Sequence, residues 1–280
     1  MYRKVFANKI FERKVVMVSG GCAGIGRALV LRFAQAGARL VILDLEQDAL
    51  DSLVQHLKDH HNVDALGFCC DVADVERVEH CVTQAIGQFG GIDVLINNAG
   101  VTHRSTFADT TLDVFRRIMD INYFGAVHCT HAALPSLIER HGQIIVMSSL
   151  SGFSPLLYRS AYNASKHALH GLFETLRCEL AGSGVGVMLV CPGFTATDLR
   201  KNALVGDASI SAQPPLAMGK VASAQEVAEA IYRAAVKRKR LLVMSNVDWR
   251  ARLLARYFPR MFERVLLPRM SGVRRRSSGL

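Results

Sequence analysis

The chain has 280 residues, of which half are hydrophobic and about a fifth charged, with a formal net charge of +10. That balance excludes a disordered chain, and the length suffices to bury a core without disulfides or a structural metal. Uncharged stretches such as His141–Tyr158 and Leu180–Thr197 are broken by Gly, Pro and Ser, so no run of about 18 apolar residues marks a spanning helix.

The first residues, MYRKVFANKIFERK, carry several charges and no signal-peptide core. Lys14–Val18 is short and β-branched and ends in Ser-Gly-Gly, the pattern of a strand buried on both faces. Ile25–Ala36 has Ile25, Leu29 and Phe33 at helical spacing and closes at Gly37. A second strand follows over Arg39–Leu43, a second helix over 46–60 and a third strand over Ala65–Cys69. Asp74–Phe89 is a helix with Val75, Val78, Val82 and Ile86 on one face, and Ile92–Ile96 is the fourth strand. One long helix is expected over Leu112–Ile138, then a strand over Gln143–Met147, a helix over Ala161–Ala181 and a strand over Gly186–Val190. Ala224–Lys237 reads as helix and Leu241–Met244 as a last strand. Repeated strand–helix alternation implies an α/β fold, a Rossmann-type doubly wound parallel sheet in three layers. The boundaries expected are one catalytic domain over 1–247 and a C-terminal amphipathic basic helical extension over 248–280.

Between the first strand and first helix lies Ser19-Gly20-Gly21-Cys22-Ala23-Gly24-Ile25-Gly26. Residues without a Cβ let backbone approach a pyrophosphate there, and the helix start aims free N–H groups at it. The spacing is G-x-x-x-G-x-G. Cys22 reads as a small residue in a tight turn, a reactive thiol near a helix start being the other reading. Asp44 ends the second strand, 18 residues after Gly26. A carboxylate there accepts the adenosine ribose hydroxyls and repels a 2′-phosphate, and no basic residue follows it, which favours NAD over NADP. Asp44 also reads as an N-cap for the next helix.

The loop spacing, Asn97-Asn98-Ala99-Gly100 after the fourth strand and Tyr162-x-x-x-Lys166 together resemble the short-chain dehydrogenase/reductase superfamily, over about Val15 to Lys237. The resemblance implies that Asp71 and Val72 border the adenine and that Asn98, Ala99 and Gly100 brace the sheet beside the cofactor. It implies further that Pro192 and Gly193 carry the loop around the nicotinamide, with Thr195 and Thr197 near its carboxamide. It assigns Ser149, rather than its neighbour Ser148, to the substrate oxygen, and Asn122 to a helix kink holding a water near Lys166. Asp109-Thr110-Thr111, Asn122-Tyr123-Phe124-Gly125 and Arg159-Ser160-Ala161-Tyr162-x-Ala164-Ser165-Lys166-His167 resemble an acyl-dihydroxyacetone-phosphate reductase-like branch, from which Asp44 departs.

Tyr162 and Lys166, four apart on a helix, share a face. An ammonium beside a phenol favours the phenolate, so Lys166 is expected to bring Tyr162 down from about 10 into a range useful for acid/base work. The reaction expected is reversible interconversion of a secondary alcohol and a ketone with NAD, on a small lipophilic substrate. The alternatives are an NADPH-dependent ketone reductase acting on lipids, a dinucleotide-sensing regulatory protein, and a nucleotide-sugar epimerase, for which the tail is too short. No metal is expected. The pairs His128/His131 and His167/His170 are expected on a helix surface or at a subunit contact. The resemblance implies a homodimer or homotetramer through 112–138 and 161–181.

The seven cysteines, odd in number and without a Cys-x-x-Cys pair, read as reduced thiols of a cytoplasmic protein. From Lys237 to Leu280 there are 13 Lys/Arg and 2 Asp/Glu, so the tail carries +11 and the remainder −1. Its apolar residues, interleaved with arginines and bent at Pro259, read equally as an anchor on an anionic membrane or as a helix packed on protein. A basic tail alone is weak evidence for nucleic acid, and none is expected as a partner.

Overall fold

The computed structural model describes residues 10–193, 195, 204, 207–208, 221–244 and 253–266. The strands are β1 (Val15–Ser19), β2 (Arg39–Asp44), β3 (Ala65–Cys69), β4 (Val94–Asn97), β5 (Gln143–Met147), β6 (Gly186–Cys191) and β7 (Leu241–Val243). The helices are α1 (Gly24–Ala34), α2 (Gln47–His61), α3 (Val75–Phe89), α4 (Leu112–Met119), α5 (Gly125–Glu139), α6 (Ser160–Glu179) and α7 (Ala224–Val236). The strands form one parallel sheet in the order β3-β2-β1-β4-β5-β6-β7.

Every residue of β1 is buried because helices cover both faces. Alternate side chains point to opposite sides. Val16, Val18, Leu40, Ile42, Ile96 and Val190 meet α1, α2 and α7, while Val15, Met17, Val41, Leu43, Leu95 and Leu189 meet α3, α5 and α6. The result is the three-layered Rossmann-type architecture that the alternation of elements predicts. The order reverses between β1 and β4, which leaves a crevice at the carboxyl ends of the central strands, where ligands of doubly wound sheets bind.

The expected single helix over Leu112–Ile138 is corrected. It breaks into α4 and α5 around a π-helical turn, Asp120–Phe124. The Asn122 amide explains the break: its Oδ1 accepts from Val101 N at 2.8 Å and its Nδ2 donates to Val101 O at 2.9 Å. A π turn inserts the residue that lets this side chain face the sheet. All seven cysteines are free thiols.

In the tail, Pro259 opens a one-turn helix, Pro259–Met261, followed by a π turn over Phe262–Leu266. Phe262 is fully buried, whereas Leu253, Tyr257, Phe258 and Met261 are exposed. Among the described residues no helix is long and apolar enough to cross a membrane.

Candidate active site

The glycine-rich loop leaves β1 at Ser19, and Gly20 takes φ +64°, a backbone conformation that side-chain-bearing residues rarely adopt. A Cβ on Gly20 would lie 2.9 Å from Ala99 Cα, and one on Gly26 would lie 1.9 Å from Gly20 O. Asn98 holds these pieces together, donating through Nδ2 to Ser19 O at 3.0 Å and to Gly20 O at 2.8 Å. Ser19 Oγ accepts from the amides of Asn98 and Ala99 at 3.0 and 3.1 Å. The start of α1 has no capping side chain and no acidic residue in its first turn. Its leading N–H groups and the positive end of its dipole thus suit a phosphate.

Asp44 sits at the end of β2 and reaches back to this loop, its Oδ2 accepting from Cys22 N at 2.8 Å. The N-cap reading is corrected: α2 is preceded by Glu46 at the cap position, without a side-chain cap bond. Burial first, and then the adjacent Asp44 carboxylate, push the Cys22 thiol up to about 12. The turn reading of Cys22 stands and the reactive-thiol reading falls, because a thiol so raised carries almost no thiolate at neutral pH. The uncapped helix start, the close-packed glycine loop and the Asp44 carboxylate together fit a dinucleotide.

A partly open cavity of about 140 Å³ lies beside this loop. Ile25, Asn98, Gly100, Ser149, Tyr162, Lys166, Pro192, Gly193 and Thr195 line it. Ser19, Gly20, Cys22, Gly24, Gly26, Asp44, Ala99 and Asn122 stand outside that lining, in the loop and the shell behind it. Asp71 and Val72 lie after β3: Asp71 pairs with Arg117 at 3.3 Å, and Val72 is buried with its carbonyl oxygen 2.9 Å from His128 Nδ1. Thr195 bridges to Ala222 and donates to Gly193 O at 3.3 Å. Thr197 lies outside the described residues, as does most of the apolar loop 194–221.

Helix α6 presents Tyr162 and Lys166 to the cavity, both almost completely buried. Lys166 Nζ donates to Met147 O at 2.8 Å and lies 5.6 Å from the Tyr162 ring centroid. Asn122 Nδ2 donates to Ser165 Oγ at 3.0 Å, and that hydroxyl donates to Tyr162 O at 2.8 Å, so the π turn and α6 are locked together. A Cβ on Gly100 would meet Asn122 Oδ1 at 3.1 Å and Lys166 Nζ at 3.7 Å, which places these three at one point. Ser149 Oγ accepts from Ser151 N at 3.2 Å.

The electrostatics differ from the sequence expectation. Burial raises the Tyr162 phenol above its ordinary value, opposed by a Ser149 hydrogen bond and the Arg159 charge. Burial also depresses the Lys166 ammonium to about 8. Removing either group from water favours its neutral form, and here that penalty exceeds the attraction expected of the pair.

The residues around the cavity that sequence reasoning passed over are Thr102, Met147, Ser151, Leu156 and Arg159. Arg159 precedes Tyr162 by three positions, a helical spacing that points to a shared surface. The expected surface position of His170 is also corrected. It is buried, with Nδ1 3.2 Å from Glu174 Oε1 and Nε2 3.7 Å from Cys191 Sγ, because α6 packs that face against the end of β6.

Comparison with known proteins accords with this geometry. The short chain dehydrogenase family model matches residues 14–206. The chain is 34% identical over 285 residues to mouse dehydrogenase/reductase SDR family member 7B, covering 99% of this chain and 88% of that protein. It is 36% identical to the Xenopus tropicalis protein of the same name, covering 94% and 87%. Among solved structures, a short chain dehydrogenase/reductase from Burkholderia phymatum in complex with NAD superposes with a TM-score of 0.79 at 26% identity, covering 90% of this chain and 95% of that one. The chain therefore belongs to the short-chain dehydrogenase/reductase family: it is an oxidoreductase of alcohol and carbonyl groups that uses a nicotinamide dinucleotide.

Proposed function

We propose that the enzyme interconverts a secondary alcohol and a ketone on a small lipophilic substrate, with NAD(H) as its dinucleotide and Tyr162 as its acid/base group. The convergence of Ser149, Tyr162 and Lys166 on one cavity beside the glycine-rich loop carries this reading. When bound, the dinucleotide supplies the hydride chemistry. The chain's own residues set position and protonation. Tyr162, its phenol raised by burial, is protonated at neutral pH, the form that donates to a carbonyl oxygen during reduction. Ser149 offers a hydroxyl to the same oxygen from the start of the turn after β5. Lys166 places a buried ammonium on the next turn of α6, and Asn122 fixes α6 through Ser165. Ile25, Met147 and Leu156 supply the apolar walls that favour a lipophilic substrate.

Preference for NAD rests on Asp44. A 2′-phosphate in that corner would face a carboxylate, and juxtaposed like charges cost several kcal/mol. The NAD complex of the Burkholderia phymatum relative supports this reading. Fluorescence titration at fixed salt is expected to give tighter binding of NADH than of NADPH. Asp44→Ala should narrow that gap by about tenfold, roughly 1.4 kcal/mol. Tighter binding of NADPH by the native protein would overturn the assignment.

We further propose that 1–247 is the catalytic domain and that 248–280 is a basic extension resting on an anionic membrane surface. Exposed Leu253, Tyr257, Phe258 and Met261 alternate with exposed Arg256 and Arg260, the composition that anchors an interfacial helix. Each arginine near such a surface contributes about 1 kcal/mol. The protein is expected to co-sediment with phosphatidylserine-containing vesicles and to be lost from the pellet at high salt. Equal recovery of the native chain and an Arg256→Gln/Phe258→Ser/Arg260→Gln variant would sink the idea.

A further inference from the structure

Three side chains that the acid/base centre does not use meet behind the cavity. Glu174 and His170 lie one turn apart on α6, and Cys191 is the last residue of β6. His170 Nδ1 is 3.2 Å from Glu174 Oε1, and His170 Nε2 is 3.7 Å from Cys191 Sγ. A carboxylate only accepts hydrogen bonds, so Nδ1 carries the ring proton towards Glu174. Nε2 then accepts from the Cys191 S–H. Cys191 and His170 are buried, whereas half of the Glu174 side chain is exposed, so the row runs from solvent through an imidazole to an interior thiol. Local packing holds the imidazole. Phe153 meets it edge-on, with ring centroids 6.2 Å apart. A Cβ on Gly152 would fall 2.8 Å from His170 Nε2 and 2.4 Å from Ser148 Oγ, so the ring occupies space that a glycine leaves open. Ser148 lines the cavity, as do Pro192 and Gly193, the two residues after Cys191. The thiol therefore adjoins the cavity wall without forming part of it.

We infer that Cys191 is a second reactive centre of this protein, a thiol activated by the His170–Glu174 pair and oxidised by hydrogen peroxide. A thiol becomes a strong nucleophile when an adjacent base takes its proton, and a third group orients that base. Here the imidazole is the base, and the Glu174 carboxylate orients it and stabilises the imidazolium. The Cys191 proton passes to Nε2, and the thiolate attacks one peroxide oxygen. The S–O bond forms as the O–O bond breaks, and the imidazolium returns its proton to the departing hydroxide. The products are the Cys191 sulfenic acid and one water: the sulfur is oxidised and the peroxide reduced. Burial selects the oxidant. Cys191 is fully enclosed, and hydrogen peroxide, little larger than water, suits such a thiol where a bulky reagent does not. The chain supplies its own control in Cys129 of α5, which is equally buried and whose thiol burial pushes up to about 12.

The test requires no substrate. Full-length reduced protein is treated briefly with hydrogen peroxide at neutral pH, quenched, and unfolded in the presence of dimedone, which captures sulfenic acids. Peptide mass spectrometry then gives the rate at each cysteine. Cys191 is expected to oxidise about 10²-fold faster than Cys129, the low end of what a positioned base contributes. His170→Gln should bring Cys191 down to the Cys129 rate. Glu174→Gln, a change at a half-exposed side chain, should slow Cys191 by about tenfold, since a nearby carboxylate supports the basicity of an imidazole by one pH unit or more. Cys129 doubles as the fold reporter, because a variant that unfolds exposes it and speeds its oxidation. If His170→Gln unfolds in this way, Glu174→Gln decides the matter. Oxidation of Cys191 no faster than that of Cys129 in the native protein overturns the inference. So does a native Cys191 rate in folded Glu174→Gln.

Discussion

Tyr162→Phe is expected to lower turnover by about 10³-fold in either direction while leaving NADH affinity nearly unchanged. The magnitude is that of a lost general acid/base group. Among the described lining residues the phenol is the group proposed to exchange a proton with a substrate oxygen at Ser149. Lys166, at about 8, is a donor to Met147 O, and the serine hydroxyls stay protonated. The ring is almost fully buried, so phenylalanine keeps its packing and removes only the hydroxyl, and the thermal midpoint should hold or rise slightly. The sign of the pH dependence follows from the raised phenol. Below its titration Tyr162 is protonated and ready to donate, so ketone reduction should persist from neutral to alkaline pH. Alcohol oxidation needs the phenolate and should climb with pH. Steady-state assays of the native enzyme and Tyr162→Phe across that range check both statements. Turnover retained by Tyr162→Phe would remove the residue from the mechanism.

Gly26→Ala carries the second large effect. The added methyl would fall 1.9 Å from Gly20 O and 2.6 Å from Asn98 Nδ2. Neither is a flexible side-chain tip. Gly20 O is backbone in the phosphate loop, and Asn98 is the bracket that joins β1 to β4 through Ser19 and Gly20. Overpacking of this kind costs about 1–3 kcal/mol, and the loop must move away from the start of α1 to relieve it. Thermal denaturation should fall by several degrees, at about 2–4 °C per kcal/mol for a domain of this size. NADH affinity should fall by about two orders of magnitude, near 2.7 kcal/mol, because the phosphate-facing amides lose their alignment. Gly87→Ala is the matched control. That glycine is exposed within α3, and a Cβ there meets nothing within 4 Å. The change should add about 0.5–1 kcal/mol of helix stability and leave binding untouched. Equal behaviour of the two variants would show that close contact at Gly26 has no part in holding the cofactor.

Much of this molecule is legible in one dimension. The β-branched runs at β1, β2, β4, β5 and β6 and the amphipathic stretches between them are local patterns, and a doubly wound sheet is the arrangement that buries both. The glycine loop, Asp44 and the Tyr162/Lys166 pair were equally legible, because their positions at strand ends or on one helix face follow from spacing, whereas Asn98 was picked out only by the family resemblance. The break at Asp120–Phe124 was legible only as the kink that the resemblance assigns to Asn122; helical periodicity runs straight through it, since its cause is the bond from Asn122 to Val101, a partner on another segment. His170 was no more visible, being buried by the packing of α6 against the end of β6, which no helical period encodes.

The sequence by itself thus determined the order of elements, the glycine-rich loop between β1 and α1 and the placing of Tyr162 and Lys166 on one helix face, all properties of neighbours along the chain. Only the tertiary structure decided their energetics. Burial reversed the expected direction of the Tyr162 shift and raised Cys22 out of reactivity, because desolvation depends on what the fold packs around a group.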